Sequence, residues 1–230
     1  MALGHILGKT SSKLLKTNLN IPLILTLSII PDIDILAEHV PVLAPILQHR
    51  GPAHSFVVSF IIFIPFFVLY RKTAVPYFIA LVQHALIGDY LTGGGLQLFW
   101  PISQQRFGLA GASIMSPENV ALEFSLFVVS IAILLITLDI VALFQAHRSN
   151  LILMIPIFTV LLPTFLSYPL SVPAWLIVPH LVYMVLFAAS VIFELPRFFR
   201  SQRSQKSDLV QSKQVWRLLG RRRRPCSQGQ

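Results

Sequence analysis

The sequence predicts an all-α, multi-pass transmembrane helical bundle of about five spans, preceded by an N-terminal helical hairpin. Three observations carry this prediction. Hydrophobic residues make up 55% of the 230 residues, charged residues only 12%, and mean hydropathy is +0.73, well above an ordinary soluble domain. Apolar runs recur at close to the length that spans hydrocarbon. The excess of 18 Lys and Arg over 9 Asp and Glu, a net charge of +9, lies largely near the C-terminus and so marks one segment rather than the whole surface.

Residues 2 to 17 read as a short helix with Leu3, Ile6, Leu7, Leu14 and Leu15 as its apolar positions and Lys9, Lys13 and Lys16 as its polar ones. The basic-then-apolar order and small-residue cleavage site of a signal peptide are missing, so this segment is expected to belong to the mature fold. Asn18 and Asn20 mark a turn, and the apolar run 21–30 is half the length of a spanning helix. An antiparallel hairpin of the two would return the chain to its starting level, bringing His5 beside Asp32 and Asp34 of Pro31-Asp32-Ile33-Asp34. Residues 35–48, a mixed loop or short helix containing Glu38 and His39, lead to His49-Arg50-Gly51-Pro52-Ala53-His54-Ser55. Five apolar segments follow, at about 55–70, 75–92, 119–145, 150–167 and 172–195. Pro156 and Pro163 make the fourth a candidate for a kinked or re-entrant segment. Residues 1–195 thus form a membrane-embedded domain, and residues 196–230 a basic, mostly irregular cytoplasmic tail with partial helix around Val215 to Leu219.

Lys and Arg in the short loops set the orientation. Arg71 and Lys72, Arg148, and Arg197 with Arg200 fall on one side if all five segments cross. The positive-inside rule makes that side cytoplasmic and places the heptad, residues 84–106 and the open end of the hairpin at the outer face. If segment 150–167 does not cross, the assignment reverses for everything before it.

The outer level then collects His5, Asp32, Asp34, His49, His54, His84 and Asp89, with Arg50, Ser55, Arg106 and Glu123 nearby. A single interfacial histidine is as readily a solvated residue as a ligand; seven ionisable groups gathered at one membrane level are a functional hypothesis. Imidazole with carboxylate is the donor set of zinc, manganese or iron sites. The one cysteine, Cys226, excludes a thiolate ribbon. Gly51-Pro52 sets His54 in the first turn of a helix, and that helix terminus, Arg50 and Arg106 suit a phosphate. His84 and Asp89 are five apart, about 140° round a regular helix, unless a left-handed cap at Gly88 turns Asp89 back. Asp139 lies about 24 Å beyond Glu123 along a helix and is expected to pair near the cytoplasmic face. His180 reads as a packing residue.

The order His5, Pro31-Asp32-Ile33-Asp34, His49-Arg50-Gly51-Pro52-Ala53-His54-Ser55, His84 to Asp89, and Leu96-Gln97-Leu98-Phe99-Trp100-Pro101-Ile102-Ser103 followed by Phe107 resembles the YdjM-like proteins, described as LexA-binding, inner-membrane-associated metal-dependent hydrolases. The resemblance covers residues 1–145. It implies a helical phosphoesterase ancestry shared with zinc-dependent phospholipase C and S1/P1-type nucleases, residence in the inner membrane, and divalent metal, zinc first. By that resemblance His5, Asp32, His54, His84 and Asp89 are the expected metal ligands, with Asp34 and His49 next. The family spaces the later pair His-x3-Asp, whereas four residues separate His84 from Asp89 here. No residue supports the LexA-binding label.

The expected function is hydrolysis of a phosphoester or related lipid-headgroup bond by metal-activated water, with Asp34 or His49 as base or orienter and Arg50 on the anion. The rival readings are a non-catalytic membrane protein with a structural metal or partner-binding site, and a transporter, whose paired interrupted helices are not evident. Membrane lipids are the expected partners, with the basic tail on anionic lipid. Nucleic acid finds little support, and no protein partner is identified.

Overall fold

The computed structural model describes residues 1–37, 40–43, 47–92, 95–111, 113–145, 147–167 and 172–221, with side chains described as far as Arg200. Glu38, His39, Gly93, Gly94 and Cys226 lie outside the described residues. The expected hairpin is present. Helix α1 (Ala2–Leu15) ends on Lys16 in the left-handed region (φ 53°), and α2 (Ile21–Leu27) starts on Asn20, whose side chain accepts from the Leu23 N–H at 3.0 Å. Gly4 and Gly8, one turn apart, let the two helices meet: a Cβ on Gly4 would lie 2.3 Å from the Ser28 Cβ, and one on Gly8 1.9 Å from the Ile24 Cδ1. The hairpin opens into a 3-10 turn, Ile30–Ile33, and the short α3 (Asp34–Ala37).

Helix α4 (Phe56–Tyr70) runs away from the hairpin's open end, and α5 (Val75–Gln83), a π-helical turn (His84–Asp89) and α6 (Tyr90–Thr92) bring the chain back. Next come α7 (Pro117–Ile136), α8 (Asp139–Phe144), a 3-10 turn (Arg148–Leu153), α9 (Met154–Pro156), a second π turn (Ile157–Leu161) and α10 (Leu162–Ser167). The last helix, α11, spans Ala174–Arg221, so the backbone of the basic segment continues the final span as helix. Four stretches are long and apolar enough to cross a membrane: Phe56–Thr73, Pro117–Ile136, Arg148–Ser167 and Ala174–Arg200. Segment 75–92, expected as a fifth, is not among them. It contains Gln83, His84 and Asp89, is divided by the π turn, and lies inside the bundle against α1. The expected 119–145 span is also shorter, because Leu138 (φ 56°) breaks the helix before α8.

The core joins the hairpin to the later helices through Ile24, Leu25, Leu134, Leu143, Leu153 and Phe187, all fully buried. On α4, by contrast, Phe60, Ile61, Ile62, Val68 and Leu69 face outward, as expected of a helix whose surroundings are hydrocarbon.

Candidate metal centre

The heptad folds as a tight corner. The Gly51 N–H donates to the Gln48 carbonyl at 2.9 Å, and Arg50 is held at φ 63°, a left-handed conformation that a residue with a Cβ adopts only under constraint. A 3-10 turn, Pro52–His54, follows, and Ser55 caps α4 by accepting from the Val58 N–H at 3.3 Å. The segment after α6 clamps this corner. The Gln97 N–H donates to the Arg50 carbonyl at 3.0 Å, the Phe56 N–H donates to the Leu98 carbonyl at 3.0 Å, and the Ser55 Oγ lies 2.7 Å from the Trp100 carbonyl oxygen. An isolated antiparallel bridge between Leu96 and Phe107 closes that segment on itself.

Four side chains from three segments converge behind the corner. His54 Nε2 is 2.8 Å from Asp89 Oδ2 and 3.3 Å from Asp32 Oδ1; His84 Nε2 is 3.0 Å from Asp32 Oδ1 and 3.7 Å from Asp89 Oδ2. Tetrahedral ligands held at about 2.0–2.2 Å from an ion lie roughly 3.3–3.6 Å apart; the 3.3 and 3.7 Å separations are close to that, while the 2.8 and 3.0 Å pairs are ion-pair distances that would open by a few tenths of an ångström around a cation. His54 is fully buried, yet neither of its ring nitrogens makes a well-directed hydrogen bond, nor does Asp89 Oδ2. Buried polar atoms at such distances without aligned hydrogen bonds fit a shared ion.

The supporting contacts have the same character. Asp34 Oδ2 lies 2.9 Å from His54 Nδ1, its Oδ1 is 2.8 Å from His49 Nδ1, and it accepts the Arg50 backbone N–H at 3.2 Å. His84 Nδ1 is 3.2 Å from the Ser28 carbonyl oxygen, an acceptor only, so Nδ1 carries the proton and Nε2 faces the cluster. Among the described residues two groups can hold a metal ion, Asp32-Asp34-His49-His54 and Asp32-His54-His84-Asp89, and they share Asp32 and His54. Arg50 completes the wall, its guanidinium 3.1 Å from Thr92 Oγ1 and 3.5 Å from Asp89 Oδ1.

The π turn accounts for the His84–Asp89 spacing. In a regular helix residues five apart diverge, but one extra residue per turn places i and i+5 on one face. The additional residue relative to a His-x3-Asp pair is absorbed as a π turn, not by a left-handed cap at Gly88, which lies within the turn. Deleting Gly88 should therefore convert the turn to regular helix, leave both side chains on one face and preserve metal binding. Equilibrium dialysis against zinc checks this, and loss of binding in the folded deletion variant would refute the account.

The imidazoles and carboxylates of the cluster shift one another's protonation in opposite directions. Burial alone would lower the His54 pKa, but Asp32, Asp34 and Asp89 outweigh it and hold the imidazole well above its ordinary 6.5; His84 is likewise raised, against burial, by Asp32 and Asp89. Burial would raise the carboxyls, yet the imidazoles hold Asp32, Asp34 and Asp89 below 3.8. In the metal-free protein the imidazolium contribution to stability is complete below 6.5 and fades as pH rises through the raised values, while the carboxylate contribution is complete above 3.8 and fades as pH falls. The cluster's own pairing is therefore strongest between these values. A metal requires neutral imidazole, so the increase in Tm on adding saturating zinc should be larger near pH 8 than near pH 6; equal increases would show that the imidazoles do not take the ion.

Six of the expected residues, Asp32, Asp34, His49, His54, His84 and Asp89, are together in this cluster, with Arg50 beside them. His5 is not. The hairpin brings its backbone near, but the ring turns to α7, where Nδ1 lies 2.8 Å from Ser130 Oγ, which also accepts from the Tyr183 hydroxyl at 2.8 Å; burial pushes the His5 pKa down to about 4. Arg106 is exposed, with its guanidinium on the Gly95 carbonyl at 3.2 Å. Asp139 pairs with Lys9, away from the cluster. The clamp at Leu98 and Trp100 and the second-layer carbonyl of Ser28 went unread in the sequence, since backbone acceptors leave no residue signature.

A cavity of about 270 Å³ borders the cluster, with Asp32, His49, Arg50, His84 and Asp89 on one wall and Asn119, Glu123, Thr164 and His180 among the residues of the others. The fold and site together define a multi-pass helical membrane protein carrying a buried histidine–carboxylate cluster at one end of its bundle. The chain belongs to the YdjM inner membrane protein family, whose model matches residues 1–192. No curated protein and no solved structure matches it.

Proposed function

We propose that the protein is a membrane-bound, metal-dependent hydrolase acting on a phosphoester or lipid-headgroup bond. The observation that carries this reading is the convergence of His54, His84, Asp32 and Asp89 on one point beside an open cavity, since a structural metal site is closed by its ligands and a catalytic one faces a space for substrate. Zinc suits the donors best, with manganese or iron as alternatives. When bound, the metal polarises the scissile group and activates water. The remaining roles belong to the chain. Asp34, 2.9 Å from His54 Nδ1, holds that imidazole electrostatically, Arg50 offers its guanidinium to an anionic oxygen, and His49, held by Asp34 at the cavity wall, exchanges protons with substrate or water. The ancestry that the YdjM-like resemblance implies, shared with zinc-dependent phospholipase C and S1/P1-type nucleases, points to the same reaction class.

Arg71 and Lys72 follow the end of α4 opposite the heptad, and Arg148, Arg197 and Arg200 lie at the ends of their spans opposite Thr164 and His180, which line the cavity; this supports a site at the outer face and a cytoplasmic tail on anionic lipid. The decisive assay loads the full-length protein with zinc or manganese and measures release from phosphomonoesters, phosphodiesters and phospholipid micelles. Turnover that falls roughly a hundredfold in kcat/KM in Arg50→Ala, with metal retained, is expected. Full metal occupancy without turnover on any of them would replace this reading with a non-catalytic metal or partner-binding site.

A further inference from the structure

The cavity has a second polar wall that the metal cluster does not use. Glu123, two turns into the α7 span, lines it together with His180 and Thr164. No salt bridge among the described residues involves Glu123, and an ionisable side chain in a span calls for a counter-charge. His180, which also lines the cavity, holds its Nδ1 proton on the Leu176 carbonyl at 3.0 Å. Thr164 Oγ1 is sealed from solvent and makes no hydrogen bond. The N-terminal ammonium of Met1 also acts electrostatically on His180, ahead of Glu123 and Asp32, and Met1, Glu123 and Asp32 all line the cavity, yet no salt bridge joins that ammonium to Glu123 among the described residues.

The rim is apolar and outward-facing. Ile87 and Leu91 are each 39% exposed, Ile114 45% and Leu122 46%, and all four line the cavity. Where these side chains meet the acyl region of a bilayer, such a rim favours an acyl chain over a free polar solute.

We propose that the cavity takes a zwitterionic phospholipid laterally from the bilayer, its phosphate on the Arg50 and metal wall and its ammonium on Glu123. The phosphate half of this assignment rests on the hydrolase reading above; the ammonium half rests on Glu123. An anionic lipid with an uncharged glycerol headgroup would set no cation against Glu123, so the pocket discriminates by charge.

The test is competition between equimolar phosphatidylethanolamine and phosphatidylglycerol for the zinc-loaded, full-length protein in detergent, read by native mass spectrometry, with metal content measured in parallel. Wild type is expected to retain phosphatidylethanolamine roughly tenfold over phosphatidylglycerol, Glu123→Gln to lose that preference with metal unchanged, and Glu118→Gln, an exposed acid of the same helix outside the cavity, to keep it. Equal retention by wild type, or a preference that survives Glu123→Gln, overturns the proposal. Selectivity that depends on Glu123 in a protein that hydrolyses nothing would leave the ammonium pocket standing and remove the hydrolase reading; hydrolysis without headgroup selectivity would do the reverse.

Discussion

Replacing His54 by alanine is expected to reduce the metal content of the purified full-length protein from stoichiometric to trace, and Asp32→Ala to do the same. These two residues belong to both groups able to hold an ion among the described residues, so neither of those groups survives the loss of either. His49→Ala should behave differently. His49 contacts the cluster through Asp34, 2.8 Å away, and loss of such an outer contact typically lowers metal affinity by 10–100-fold without abolishing binding. Mass spectrometric metal analysis, with circular dichroism to confirm the helical fold, distinguishes the cases. Full metal occupancy in a folded His54→Ala protein would mean that the cluster is an ion-pair network and not a metal centre.

The second large effect is expected in the hairpin. Gly4→Val places a branched side chain where a Cβ alone would lie 2.3 Å from the Ser28 Cβ and 2.8 Å from Gln83 Nε2. Neither α2 nor α5 can withdraw without disturbing buried packing, and overpacking of this kind costs roughly 3 kcal/mol, a fall in Tm of the order of 10 °C. Gly8→Ala should be milder, because its two closest contacts, 1.9 Å and 2.9 Å, are with Cδ1 and Cγ1 of a single side chain, Ile24, which a change of rotamer moves together at some cost in a buried core, whereas Gly4 meets a Cβ fixed to the backbone. Thermal unfolding of the two variants tests the contrast; an unchanged Tm in Gly4→Val would show that α1 and α2 are not in close contact.

Much of this arrangement was legible in the chain. Apolar run lengths reported a helical membrane protein, and the short run 21–30 required a hairpin because ten residues do not cross a bilayer. The polar residues of Pro31 to Asp34 and of the heptad stood out because such groups are costly beside hydrocarbon. The π turn was not legible, since a single extra residue in a helix leaves the apolar pattern almost unchanged while rotating everything after it. That rotation decides whether His84 and Asp89 meet. His5 shows the complementary limit: the hairpin fixes the height of its Cα, but the side chain follows packing against Ser130 and Tyr183, residues 125 or more positions away. Segment 75–92 looked like a span by length, yet its polar residues and its interruption set it inside the bundle.

The clamp on the heptad also dictates an order of assembly. Ser55 is fastened to the Leu98 and Trp100 carbonyls, 43 and 45 residues further along the chain, and His84 and Asp89 arrive only with the helical segment between. During synthesis, therefore, Asp32 and Asp34 meet His49 and His54 first, as one candidate group, and His84 and Asp89 join them only after α5 has followed. The set Asp32-His54-His84-Asp89 is complete only once Asp89 has followed, and its clamp only once residues up to Phe107 have folded back on the corner, so a ribosome-bound chain that ends before α5 carries two acids and two imidazoles of the cluster but neither His84 nor Asp89.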